Sequence, residues 1–169
     1  YVIHRWILHN RRLKRAFVHH FAQHHARARR GVMIDHTSLA KVSIREFEIK
    51  ALAFAVVLHF PIIFYFPYFY CAIIYSALAY YFVHRRSHRD NDWGRNNIPW
   101  HYDHHMGRDS NKNWGVRLPI FDYLFGTREI YKDTLPEMAR FLEYKKRGKY
   151  VIRSRRAKRY KYKKASNTP

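Results

Sequence analysis

The sequence predicts an all-α fold: an integral-membrane helical hairpin with a cytoplasmic helical cap that carries clustered histidines. Residues 51–83, ALAFAVVLHFPIIFYFPYFYCAIIYSALAYYFV, contain no Asp, Glu, Lys or Arg. Eleven of the 13 histidines fall in four groups, all outside that run. The remainder is strongly basic, 33 Lys+Arg against 12 Asp+Glu for a net charge of +21. Such a balance admits an anionic membrane surface, nucleic acid or an acidic protein as partner.

Four segments follow in order. Residues 1–50 hold two histidine groups and an amphipathic approach to the membrane. Residues 51–83 form the transmembrane hairpin. A single spanning helix needs about 20 apolar residues, so this run is long for one pass. Pro61 and Pro67 sit near its middle, where helices end or kink. Two arms of about 16 residues would each rise about 24 Å, short of the ~30 Å hydrocarbon core. Extending the first arm back through VSIREFEIK makes up the difference. The aromatic cluster from Phe64 to Tyr70 then lies at the far interface.

Residues 84–144 are the cap with the other two histidine groups, and 145–169 are a basic tail suited to anionic head groups. Of the Lys+Arg, 11 precede residue 51 and 22 follow residue 83, which puts both flanks in the cytoplasm by the positive-inside rule. Binding of nucleic acid is not expected, because it leaves the uncharged run unexplained. A single cysteine, Cys71, rules out an internal disulfide and a cysteine-based zinc site. The opening YVIHRWILH lacks a Met and a secretory pattern and reads as starting downstream of a natural N-terminus.

The histidines lie in HRWILH (His4, His9), HHFAQHH (His19, His20, His24, His25), HRRSH (His84, His88) and HYDHH (His101, His104, His105). Residues four apart stack on one helix face, so His20/His24, His84/His88 and His101/His105 can each converge, with His104 beside the last pair. His4 and His9 are five apart and diverge on an ideal α-helix. Either that helix distorts so that they meet, or the two rings reach different metals. Eight to ten imidazoles exceed the needs of one ion, and two metals are the economical inference. No HExxH zinc-protease string occurs, and no glutamate precedes a histidine by three, so a carboxylate-bridged centre is not expected. A mostly-histidine site remains, suited to iron or zinc. His36 and His59 stand apart, His59 as a helix-end residue before Pro61.

These boxes resemble the fatty acid hydroxylase/sterol desaturase superfamily, membrane-bound oxygenases with four ordered histidine boxes and a hairpin before the third. NWGV (113–116) and FDYLFGTR (121–128) resemble the segment that follows the last box, so the likeness covers residues 4–128. The family usually has an earlier pair of membrane helices, and this sequence begins at the first box, so they are expected to be absent or cut away. The resemblance implies a non-heme di-iron enzyme that hydroxylates or desaturates a lipid with O2 and two electrons. The implied ligands of two iron ions are His4, His9, His20, His24, His25, His84, His88, His101, His104 and His105, with His20 preferred over His19. Zinc is a possible substitute in purified protein. Asp103, Asn113 and Asp122 are expected to orient ligand imidazoles. No HPGG haem segment occurs, so electrons come from a separate donor such as cytochrome b5 or ferredoxin, steered by the basic face. The competing expectations are a zinc-dependent non-redox membrane enzyme and a basic lipid- or RNA-binding protein with incidental histidines.

Overall fold

The computed structural model describes residues 1–39 and 47–147, and every regular element among them is helical. The expected basic tail beyond residue 147 and the backward extension of the first arm through residues 42–46 lie outside the described residues. The chain opens with a π-helix, π1 (Ile3–Leu8), followed by α1 (Lys14–Phe17). A second π-helix, π2 (Val18–His25), runs into α2 (Ala26–Arg30). In π1 the His9 N–H donates to the His4 carbonyl, five residues back. Closing each ring at i+5 widens the turn and stacks residues five apart. This is the distortion that His4 and His9 require.

After α2 the chain reverses through Val32 and Met33, both with positive φ (54° and 73°). A β-branched residue is strained there. The turn sends α3 (His36–Leu39) away and aims the Met33 carbonyl and the Asp35 side chain inward. Val32 and Met33 join Tyr102, Met106 and Tyr131 in a small apolar core, flanked by Phe141 and Tyr144.

The uncharged run folds as α4 (Phe47–Leu58), a 3₁₀ turn (Phe60–Phe64) and α5 (Pro67–Ser87), with Pro67 in the first turn of α5. The Tyr70 hydroxyl donates to the Val56 carbonyl and ties the arms together. His59 ends α4, its ring bonded to the Ala55 carbonyl. The spanning lengths differ from expectation. No helix among the described residues is long and apolar enough to cross a membrane. The bend consumes residues 59–66, and α4 spans 12 of the described residues, about 18 Å of rise. The 21 residues of α5 include Tyr75, Tyr80 and Tyr81 and end in His84, Arg85 and Arg86, which dilute its hydropathy.

Beyond α5, α6 (Asn91–Asn97) starts on an Asp90 cap that accepts from the Trp93 N–H, and α7 (Pro99–Met106) follows at once. A Cβ at Gly94 would sit 3.0 Å from the Ser87 carbonyl, so glycine lets α6 lie against the end of α5. The short α8 (Ile120–Leu124) and then α9 (Leu135–Lys146) follow. Arg95 of α6 locks α9 in place. Its guanidinium donates to both Glu137 oxygens (2.9 and 3.0 Å) and to Asp133 (2.6 Å), while Tyr102 donates to Glu137 at 2.9 Å.

Glu137 is buried, so losing its cation leaves an unpaired carboxylate inside. Arg95→Met is expected to cost about 3 kcal/mol of stability in denaturant titration, and adding Glu137→Gln to restore part of it. Unchanged stability in Arg95→Met would contradict the role of this clasp.

Candidate metal centre

Four helices deliver histidines to one buried place. Group one comprises His4 and His9 of π1, His20 and His25 of π2, and His104 of α7. Group two comprises His24 of π2, His84 and His88 of α5, and His105 of α7. Within each group every residue offers a ligand atom within 4.8 Å of the others'. The inward nitrogens crowd together: His4 Nε2 is 2.9 Å from His20 Nε2, which lies 3.4 Å from His25 Nε2, and His104 Nε2 is 3.2 Å from His25 Nε2.

The π-helical ladder decides this sorting. An α-helix would stack His20 on His24, but π2 pairs His20 with His25 and turns His24 to the other group. On α7 the adjacent His104 and His105 likewise part, one to each group, because neighbours on a helix point about 100° apart. The two HH pairs therefore form a shared wall, with the His25 and His105 ring centroids 4.3 Å apart. His101 joins neither set but lies beside group two, its Nε2 3.2 Å from His88 Nε2. His19 stays exposed and stacks on Phe47.

Outward nitrogens are anchored. His4 Nδ1 bonds the Trp114 carbonyl (2.7 Å), His88 Nδ1 the Met33 carbonyl (2.7 Å) and His104 Nδ1 the Lys112 carbonyl (2.6 Å). His24 Nδ1 bonds Asp35 at 2.8 Å, and His84 Nδ1 bonds Glu48. Since carbonyls and carboxylates only accept, each of these rings donates from Nδ1, and in its neutral form points a lone pair inward from Nε2.

A family model described as fatty acid hydroxylase matches residues 1–127. The chain belongs to the fatty acid hydroxylase family. Among curated proteins and among solved structures nothing matches it significantly.

For a member of this family the residues present fit bound metal. Buried nitrogens of His9, His24, His25, His84, His101 and His105 have no hydrogen-bond partner. Each such orphan costs about 1–3 kcal/mol unless something binds it. The rings are also held neutral. Burial lowers the pKa of His9 from 6.5 to about 4, helped by His24, and that of His104 to about 3, helped by His9. Burial pushes His20, His25, His88, His101 and His105 well down too.

The three residues expected to orient imidazoles act elsewhere. Asp122 accepts from the Trp114 and Gly115 amides and the Thr127 hydroxyl, so it holds the segment whose carbonyl holds His4. Asn113, at φ 59°, bonds Arg128 and the Glu129 backbone. Asp103 pairs with Arg128 and accepts from the Lys132 amide. Their bonds close the loop after α7 instead of touching rings. Asp35 and Glu48 do touch rings, and sequence reasoning missed both. They lie 11 and 36 positions from their histidines, a separation no local spacing marks.

A histidine that titrates near 6.5 when unfolded but only at about 3–4 when folded favours unfolding as the pH falls through that window. The metal-free chain is expected to be most thermostable above about pH 7, losing Tm steadily between pH 6.5 and 4. A Tm flat across that range would show that the rings are not buried neutral.

Proposed function

We propose that this chain is a membrane-associated non-heme di-iron oxygenase that hydroxylates a lipid, or desaturates it by a closely related reaction, using O2 and two electrons from an external donor. The observation that carries the reading is the pair of buried histidine groups, each with ligand nitrogens within 4.8 Å of one another and each with buried ring nitrogens, on His9 and His25 in one and on His24, His84 and His105 in the other, that have no hydrogen-bond partner. Family membership supports it. His4, His9, His20, His25 and His104 would hold one ion, and His24, His84, His88 and His105 the other, with His101 a further donor to the second.

Bound iron supplies redox chemistry with O2 against an unactivated C–H bond, which zinc does not. The chain's own part is geometric and electrostatic. Nδ1 anchors fix which nitrogen of His4, His24, His84, His88 and His104 faces inward, and burial keeps His9, His20, His25, His88, His101, His104 and His105 unprotonated and free to ligate. Burial also keeps bulk water from a reactive centre. An all-histidine donor set suits zinc as well, and a zinc-dependent non-redox enzyme is the second reading; O2-dependent turnover distinguishes them.

The hairpin supports a lipid setting. Phe54, Val57, Phe64, Tyr65, Phe66 and Tyr68 are each more than 60% exposed, an apolar and aromatic surface unsuited to water. Lipid around α4 and α5, with the basic flanks on the cytoplasmic side, accounts for both features. An acidic donor such as cytochrome b5 or a ferredoxin would be attracted to those flanks.

Elemental analysis of detergent-purified protein expressed with iron tests the reading. About two iron ions per chain are expected, with about one lost in His104→Ala and one in His105→Ala, and hydroxylated lipid formed only with O2 and a donor. Full metal content in either variant would refute the ligand assignment. Stoichiometric zinc with no O2-dependent turnover after iron loading would favour the second reading.

A further inference from the structure

The two histidine groups differ in what stands behind them. Both outward anchors of group one are peptide carbonyls, those of Trp114 and Lys112. Group two has two carboxylates in that position, Asp35 behind His24 and Glu48 behind His84, besides the Met33 carbonyl behind His88. A carboxylate accepting from Nδ1–H makes the opposite nitrogen a stronger donor than a carbonyl does, and places negative charge one ring away from a cation.

The surroundings reinforce the difference. Asp35 shares its charge with Arg27, whose Nε donates to both oxygens (2.9 and 3.1 Å), so Glu48 carries the larger part. Group one stands beside a cation instead: Arg29 of α2 lines the same groove as His25. Arg29 is itself held by the Gly107 carbonyl and Ser110 (both 2.8 Å), with no acidic partner among the described residues. Group one is also nearer solvent. Together with Phe21 and Arg29, His25 lines an open groove of about 490 Å³ between π2–α2 and residues 108–111. The number of rings does not separate the groups, since His101 stands beside the four of group two.

We infer that the two groups are unequal cation sites: the group of His24, His84, His88 and His105 fills first and binds a divalent ion at least about tenfold more tightly, with Asp35 and Glu48 as its positioning residues. This rests on the proposed metal centre and adds an order to it. The groove-side group is then the exchangeable one.

Anaerobic titration of the metal-free, detergent-purified full chain with Co2+, followed by calorimetry and the visible cobalt bands, tests the inference without turnover. Two steps with affinities about tenfold or more apart are expected. His105→Ala should remove the tighter step and His104→Ala the weaker. Glu48→Gln keeps the shape and removes the charge; it should weaken the tighter step by about 10–100-fold and alter its cobalt spectrum, leaving the weaker step in place. Asp35→Asn should act in the same direction and Asp35→Glu should recover part of the loss. Two equal steps, an unchanged tighter step in Glu48→Gln, or a loss confined to the weaker step would each overturn the inference. Failure of the oxygenase reading looks different: unequal cobalt steps in a protein whose iron form consumes no O2 would refute that reading and leave the site order standing.

Discussion

The fold is governed by the need to bury about ten imidazoles without charging them. A buried imidazole has two nitrogens to satisfy, and an imidazolium is excluded by desolvation. For five rings the chain meets half of this need with an outward Nδ1 acceptor. Those acceptors come from places that otherwise have little in common: the turn after α2, the first turn of α4 and the loop after α7. Each is held by its own device. Positive φ at Val32 and Met33 turns a carbonyl and Asp35 inward, and Asp122 clamps the amides beside Trp114. The strain of a left-handed valine is offset because two group-two rings, His24 and His88, depend on that turn.

Helix type is the second constraint. With a uniform α-helical ladder, His4 would diverge from His9, and His20 would stack on His24. The π ladder reverses both relations, so that residues five apart share a group and the adjacent His24 and His25 serve different ones. Long π segments are costly and rare, and they occur mainly at functional sites. Here two of them carry the first two histidine clusters, and the third and fourth clusters on α5 and α7 need no distortion.

Much of this was legible in the sequence, for identifiable reasons. The helical hairpin announces itself through an uncharged run broken at Pro61 and Pro67, since charge and proline act locally. His84 and His88 are legible as a pair because α-helical spacing holds there. The division of the histidines between two groups was not legible, because it depends on a hydrogen-bond register that composition does not encode. Nor were Asp35 and Glu48, whose role arises only when distant segments meet. Asp103, Asn113 and Asp122 looked like ring-orienting groups from their nearness to the last cluster. Their acceptor capacity instead goes to backbone amides and Arg128, which a closed loop must satisfy first. The first arm is shorter among the described residues than its apolar letters suggest, because the bend around a 3₁₀ turn consumes residues 59–66, and the longer second arm is diluted by tyrosines and by the His–Arg–Arg at its end.

The balance of buried and exposed surface links these points. Apolar side chains fully inside the described part are few and mostly small or polar-tipped, such as Ala28, Val32, Tyr70, Tyr81, Tyr102 and Tyr131. Larger ones, including Phe54, Phe64, Phe66, Leu124 and Leu135, are more than half exposed. A chain so arranged cannot draw its stability in water from the burial of hydrocarbon, the main favourable contribution in most domains. What it buries instead is a set of neutral rings with inward lone pairs, each group a liability when empty of a cation and a source of binding energy when filled. Ligation free energy at such a site becomes folding free energy, because the unfolded chain offers no preformed site. Hairpin and histidines are therefore two halves of one solution. In the proposed function, lipid around α4 and α5 would relieve the exposed apolar surface and ligated ions the buried polar one, and α5, with its aromatic N-terminal turns and with His84 and His88 at its C-terminal end, would belong to both.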